Sequence, residues 1–338
     1  MKPFDQMSYH PTSESLVKVL KDRLQRDDPL YFRLLVGWYF SLVTAQMRGS
    51  IYADDRGGTI PINMFLLNLA PTGFGKTLSM NLLEKEVFGL FRDRLMNETF
   101  PYLADQQLNA LAVKRANIKG TDLDNELKSV KAEYERCGDV EFSFASATEA
   151  AIRQLRHKLL MLGSGSINLV MDEVGNNMLK HSEMFDSFVE LYDVGQMKGA
   201  LLKNTQENKR NAEILGQTPT NLLMFGVPVR VFDGGPAEEI FLAKLDQGYA
   251  RRCFFGFVKS SGSGTDQPDA SLRERAERMY DKRIDTSNEQ VVLDLADYFE
   301  RLADGININK RLPLSRDNSI LLNEYQLICE ERATKMRS

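Results

Sequence analysis

Eight consecutive residues, Ala70-Pro71-Thr72-Gly73-Phe74-Gly75-Lys76-Thr77, restrict what this chain can fold into more than any others. The spacing of Ala70, Gly75, Lys76 and Thr77 is that of a phosphate-binding loop, with alanine where a first glycine is commoner. Such a loop wraps backbone N–H groups around a chain of phosphates. It needs small residues where the backbone comes closest, here Gly73 and Gly75. Lys76 brings positive charge to the β- and γ-phosphate oxygens, and the Thr77 hydroxyl is a ligand for Mg²⁺. The helix expected to open at Lys76 points its positive end at the same phosphates. A glycine turn capping a helix gives similar short matches, so context has to separate the two. Met64-Phe65-Leu66-Leu67-Asn68-Leu69 reads as a strand leading into the loop, and a helical pattern follows it, as a phosphate loop requires. The candidate nucleotide-binding residues are Ala70, Pro71, Thr72, Gly73, Phe74, Gly75, Lys76, Thr77 and Leu78, the expected ligand being ATP with Mg²⁺.

A second apolar run, Ile167-Asn168-Leu169-Val170-Met171, ends in Asp172 and Glu173. Asp172 is placed to hold Mg²⁺, directly or through water. Glu173 is placed to orient the attacking water and take its proton, and with Lys76 it forms the expected catalytic pair. A buried strand followed by solvated acids is common by itself. Downstream of a phosphate loop, adjacent acids favour hydrolysis over simple binding.

The remaining pattern is that of an α/β fold: a P-loop NTPase core, RecA- or AAA-like, with a mostly parallel sheet flanked by helical N- and C-terminal segments. Residues 1–50 carry two helical patterns broken near Asp28-Pro29. The core spans 51–258. It opens with a turn signal at Asp54-Asp55-Arg56-Gly57-Gly58 and a β-rich run from Ile60 to Leu69. A helix to about Met96 follows the loop, then a polar helical insert at about 101–136. Strands are expected at Val140 to Ala145, Ile167 to Met171, Asn221 to Gly226 and Cys253 to Val258, with helices at Thr148 to Leu162 and Pro236 to Gln247. Residues 259–270, rich in glycine and serine, read as a linker, and 271–338 as a small helical segment.

Composition excludes several classes. The chain has 338 residues, 43% apolar and 27% charged, enough to bury a sizeable core. No apolar stretch is long enough to cross a membrane, and Met1 to Glu14 lacks the run of a secretory signal. Cys137, Cys253 and Cys329 have no paired spacing, which argues for a reducing compartment and against a zinc site. His10, His157 and His181 show no metal spacing. A cytoplasmic location is expected. The net charge of −4 does not announce a nucleic-acid binder, although a ring-shaped motor can confine its basic groups to inner loops.

With these residues placed, the chain resembles a family of phage and prokaryotic replication ATPases, the helicase modules often joined to primase or primase-polymerase domains. The resemblance runs from about residue 30 to 258. It rests on an ordered series: Val36-Gly37-Trp38-Tyr39, the strand from Pro61, the phosphate loop, and Ala145-Ser146-Ala147-Thr148-Glu149-Ala150. Asp172-Glu173-Val174-Gly175 comes next, followed by Glu190-Leu191-Tyr192-Asp193-Val194-Gly195, Gln217-Thr218-Pro219-Thr220-Asn221 and Gly248-Tyr249-Ala250-Arg251-Arg252-Cys253-Phe254. The Ala145 segment lacks the proline of the family pattern. The strand after Asn221 ends in Val227-Pro228 without an evident polar group to sense the γ-phosphate. Arg252 matches the family's arginine in position and Arg251 is an extra.

The resemblance implies an ATP-driven DNA helicase or translocase, a homo-oligomer and most often a hexamer. It also implies single-stranded DNA and other replication proteins as partners, and the host cytoplasm as location if the chain is phage-encoded. It makes Arg252 a candidate catalytic finger, reaching the γ-phosphate of a neighbouring subunit. The alternative is that Arg251 and Arg252 merely flank an apolar strand. Gly195 to Glu213, with Lys198, Lys203, Lys209 and Arg210, either lines a pore or is a solvated loop. The competing function is a P-loop ATPase that does not translocate, such as a loader, a remodelling factor or an assembly factor.

Overall fold

The structure is a computed structural model that describes residues 8–53, 55, 58–174, 182–192, 195–197, 214, 216–259, 271–284 and 288–337. It is α/β. Among the described residues a four-stranded, all-parallel sheet has the order β4-β5-β3-β6, where β3 is Phe65–Leu69, β4 Ile167–Met171, β5 Thr220–Gly226 and β6 Cys253–Phe257. The two inner strands, β3 (FLLNL) and β5 (TNLLMFG), and the edge strand β4 (INLVM) are buried at every position. Unbroken apolar runs of this kind belong to parallel sheets covered on both faces.

The covering elements follow from side-chain alternation. Asn68 donates to the Tyr31 carbonyl of helix α2 (Pro29–Gln46), so that side of β3 faces α2. Phe65, pointing the other way, meets Phe188 at 6.1 Å and Tyr192 at 4.8 Å. Helix α1 (Pro11–Leu24) lies on α2. The break between them is set by Asp28, whose carboxylate accepts from the Tyr31 N–H, with Pro29 in the first turn. Trp38 of α2 is fully buried.

Several expectations are corrected. The run Ile60 to Leu69 is two strands, interrupted at Ile62-Asn63-Met64. Its first part, β2 (Gly58–Pro61), pairs antiparallel with β1 (Ser50–Ala53) in a second sheet. That sheet is completed by β7 (Arg311–Pro313), parallel to β1, in a region expected to be purely helical. Val140 to Ala145 forms no strand. Only Phe144 bridges Leu169, at the outer edge of β4. The insert is a hairpin of two helices, Phe100–Lys119 and Leu123–Arg136, because Gly120 turns left-handed and Asp122 caps the second. A buried ion pair joins them, Arg115 to Glu133 at 2.5 Å. The helix from Lys76 is α-helical to Asn81, π-helical over Leu82–Val87, and interrupted at Phe88 before it resumes. No described helix is long and apolar enough to cross a membrane.

Candidate functional site

In a parallel sheet all strands deliver their C-terminal ends to one side. Here that side receives the loop after β3, the carboxylates after β4 and the turn after β5. Because β5 lies between β3 and β4, its end is bracketed by the other two. Ala70 donates to the Gly226 carbonyl at 3.1 Å, joining the start of the loop to the end of β5. A side chain on Gly226 would collide with Leu69 and Val174, which border it on either side.

The loop is held from below. Gly73 (φ 79°) and Gly75 (φ 103°) take conformations that L side chains rarely adopt, as a chain doubling back toward a helix requires. Phe74 turns inward, 2% exposed, stacking on Phe32 at 5.9 Å and meeting Tyr31 edge-on at 4.8 Å. Arg26, between α1 and α2, donates to the carbonyls of Gly73 at 2.9 Å and Phe74 at 3.3 Å. These contacts fix two loop carbonyls on the Arg26 side. Ala70 is buried, Pro71 half-buried, and Thr72 and Gly73 exposed, while Thr77 and Leu78 are exposed on the first helical turn. Arg26 and its role are absent from the motif reading. A basic residue at a helix break gives no sequence signal for contact with a loop 47 residues further on.

Lys76 is half-buried and its Nζ lies 3.4 Å from the Ala70 carbonyl. Burial pushes its ammonium below the usual lysine value, Glu173 pulls it up, Arg230 pushes it down again, and Asp172 pulls it up. The sheet order brings these four side chains to the same end of β3, β4 and β5. Asp172 is exposed and Glu173 half-buried. Arg230 Nη1 stands 3.6 Å from Glu173 Oε2. It occupies the short helix Pro228–Val231 after β5, whose register is set by the fully buried Val231. Thr220 and Asn221 sit at the opposite end of β5. There the Asn221 side chain accepts from Met64 N–H and donates to Asn168, a structural role.

Among the described residues no group of three or more His, Cys, Asp or Glu side chains could hold a metal alone. Thr77 and Asp172 suit Mg²⁺ nonetheless. That ion takes one or two protein oxygens and completes its shell with water and phosphate. His10 caps α1 and His157 meets Glu133 at 2.7 Å, while His181 lies outside the described residues.

Arg252 is elsewhere. Cys253 pairs in register with Phe65 at the start of β3, so the arginine pair sits at the far end of the sheet from the loop. At about 3.3 Å per residue the separation along β3 is roughly 13–16 Å. Arg252 is 9% exposed, donates to the Gly248 carbonyl at 3.2 Å and faces the Tyr192 ring, whereas Arg251 is exposed. Lys198, Lys203, Lys209 and Arg210 lie outside the described residues, as do Gly175 and the linker from 260 to 270.

No family model, curated protein or solved structure matches this chain.

Proposed function

We propose that this chain is an ATP hydrolase with a P-loop core, and that it works as a nucleic-acid motor of the helicase or translocase kind. The observation that carries the first part is the convergence of Lys76, Asp172, Glu173 and Arg230 at one end of a parallel sheet, beside a loop with two left-handed glycines. The strand inserted between the loop strand and the acidic strand places the loop and the acids on either side of its end, and a triphosphate there would set its phosphates against the N–H groups at the start of the helix that opens at Lys76. Lys76 binds the β- and γ-phosphates. Thr77 and Asp172 hold Mg²⁺, which supplies charge neutralisation when bound. Glu173 orients water against the γ-phosphorus and takes its proton as the bond to the β-γ bridging oxygen breaks, leaving ADP and phosphate.

The motor part rests on the resemblance of the motif series and on the arginine pair. A cation at the far end of the sheet cannot serve its own loop, but it can serve a neighbour's in a ring. Arg251, the exposed member, is the one presented outward. The test is ATP turnover with and without single-stranded DNA, with oligomeric state measured in the same buffer. DNA-stimulated turnover by a ring supports the motor. Turnover indifferent to DNA supports the loader or assembly-factor alternative, and no turnover removes both.

A further inference from the structure

Glu173 is the residue that must meet water, yet its carboxylate is engaged by a cation. Arg230 Nη1 is 3.6 Å from Glu173 Oε2, and the Arg230 side chain is 65% exposed against 24% for Glu173. The placement is imposed by the fold. β5 stops at Gly226, Pro228 opens a turn of helix, and Val231 is locked inward with no exposure. Arg230, one residue earlier, is thereby delivered over the ends of β3 and β4. A long cation held by its base and exposed at its tip can exchange partners without moving the backbone. An ion pair this open is worth little, in the range of a two- to fivefold bias. A triphosphate terminus offers a stronger, multiply charged acceptor.

The geometry points to Arg230 as an exchangeable partner: it pairs with Glu173 when the loop holds no triphosphate and moves onto the γ-phosphate oxygens when ATP binds, releasing Glu173 to take the proton of the attacking water. The inference rests on the ATPase reading of this site and deepens it. On this scheme ADP, lacking the γ-phosphate, leaves Arg230 on Glu173, so hydrolysis resets the pair. In the transition state the guanidinium faces charge spread over the equatorial oxygens while Glu173 accepts one proton. Water and ATP become ADP, phosphate and a released proton, with no other reactant.

The experiment combines turnover with binding of Mg²⁺-ATP and Mg²⁺-ADP for wild type, Arg230→Ala, Arg230→Lys, Glu173→Gln and the Arg230→Ala/Glu173→Gln double variant. Arg230→Ala should lower kcat by about 10²- to 10³-fold, the usual cost of losing one transition-state donor. It should also reduce the preference for ATP over ADP, since Lys76 still meets the γ-phosphate, and Arg230→Lys should restore part of both. Glu173→Gln should tighten ATP about two- to fivefold by releasing Arg230. That gain should vanish when Arg230 is already alanine, which a merely structural arginine does not produce. An active wild type whose Arg230→Ala variant turns over within twofold, or a Glu173→Gln gain that persists without Arg230, overturns the exchange. A wild type that neither binds nor hydrolyses ATP overturns the site reading beneath it, a different and recognisable result.

Discussion

Phe74 lies in the middle of a loop whose function depends on its backbone, and its side chain is core. Truncating it to alanine removes a ring that is 2% exposed, stacked on Phe32, edge-on to Tyr31 and covered by the Arg26 guanidinium at 5.9 Å. Loss of a buried phenylalanine costs about 3–5 kcal/mol, transfer and cavity together. Two ring pairs put this one toward the upper end. Against a total stability of about 5–15 kcal/mol the variant is weakened but still folds. Phe74→Leu, which keeps most of the volume, should cost under about 1.5 kcal/mol. Leu78, four residues on and 66% exposed, is the internal control: Leu78→Ala should stay within about 0.5 kcal/mol. Equilibrium urea unfolding gives these differences, and an ATP titration under folded conditions shows whether the loop has shifted. Affinity should fall for Phe74→Ala more than for Phe74→Leu. Losses below about 1 kcal/mol for Phe74→Ala, equal to those of Leu78→Ala, would refute the anchored-loop account.

Lys76→Ala should abolish turnover and weaken ATP binding, whereas Glu173→Gln should keep binding and lose about 10²- to 10⁴-fold in rate; equal nucleotide affinities for the two variants would remove the division of roles. Lys76 must be charged to hold phosphate, and burial lowers its value beneath the usual 10.5. ATP affinity should therefore fall as pH rises through that depressed value. Lys76→Arg, which stays charged, should lack this alkaline limb, and a wild-type affinity that is flat up to the ordinary lysine range contradicts the depression. Arg251→Ala should spare nucleotide binding, lose about 10³-fold or more in turnover, and regain activity when mixed with Lys76→Ala subunits through a composite site. Arg252→Ala should instead lose about 1–3 kcal/mol of stability, as removal of a buried hydrogen-bonded group does. Rescue by Arg252→Ala subunits and not by Arg251→Ala subunits reverses the assignment.

What the sequence made legible was whatever depends on neighbours along the chain. The loop, the strand before it, the acids after β4 and the helix starts at Asp28-Pro29 and Thr148 are all local, and the structure shows those elements within a residue or two. What failed depended on partners far away. Val140 to Ala145 has the composition of a strand but meets β4 only at Phe144. Arg311–Pro313 lacks strand composition and becomes one because β1 offers an edge. Arg230 was invisible for the same reason. The sequence places it after Val227-Pro228, where no polar group at the strand end was evident, and only the helical turn carries it back over Glu173. Between Arg251 and Arg252 the resemblance points to Arg252, whereas exposure, which depends on the direction the chain gives each side chain, favours Arg251.

The two ends of the sheet carry different kinds of polar chemistry, and the contrast suits the reaction proposed for one of them. At the N-terminal end two arginines and two asparagines are committed to hydrogen bonds. Arg48 donates to the carbonyls of Gly165, Gln217, Leu159 and Ser164, and Arg156 to those of Gly195 and Gly216. Asn168 and Asn221 knit β4, β5 and the approach to β3. Such buried, satisfied networks specify register and cannot be exchanged cheaply, since removing one partner strands the others. At the C-terminal end the polar groups are Lys76, Thr77, Asp172, Glu173 and Arg230. Their exposure is greater, and the ion pair they share is open to water. A side chain that must change partners during a reaction has to sit where the alternatives are close in energy. The rigid end fixes where β3, β4 and β5 stop, and the loose end uses those fixed positions to bring mobile charges together.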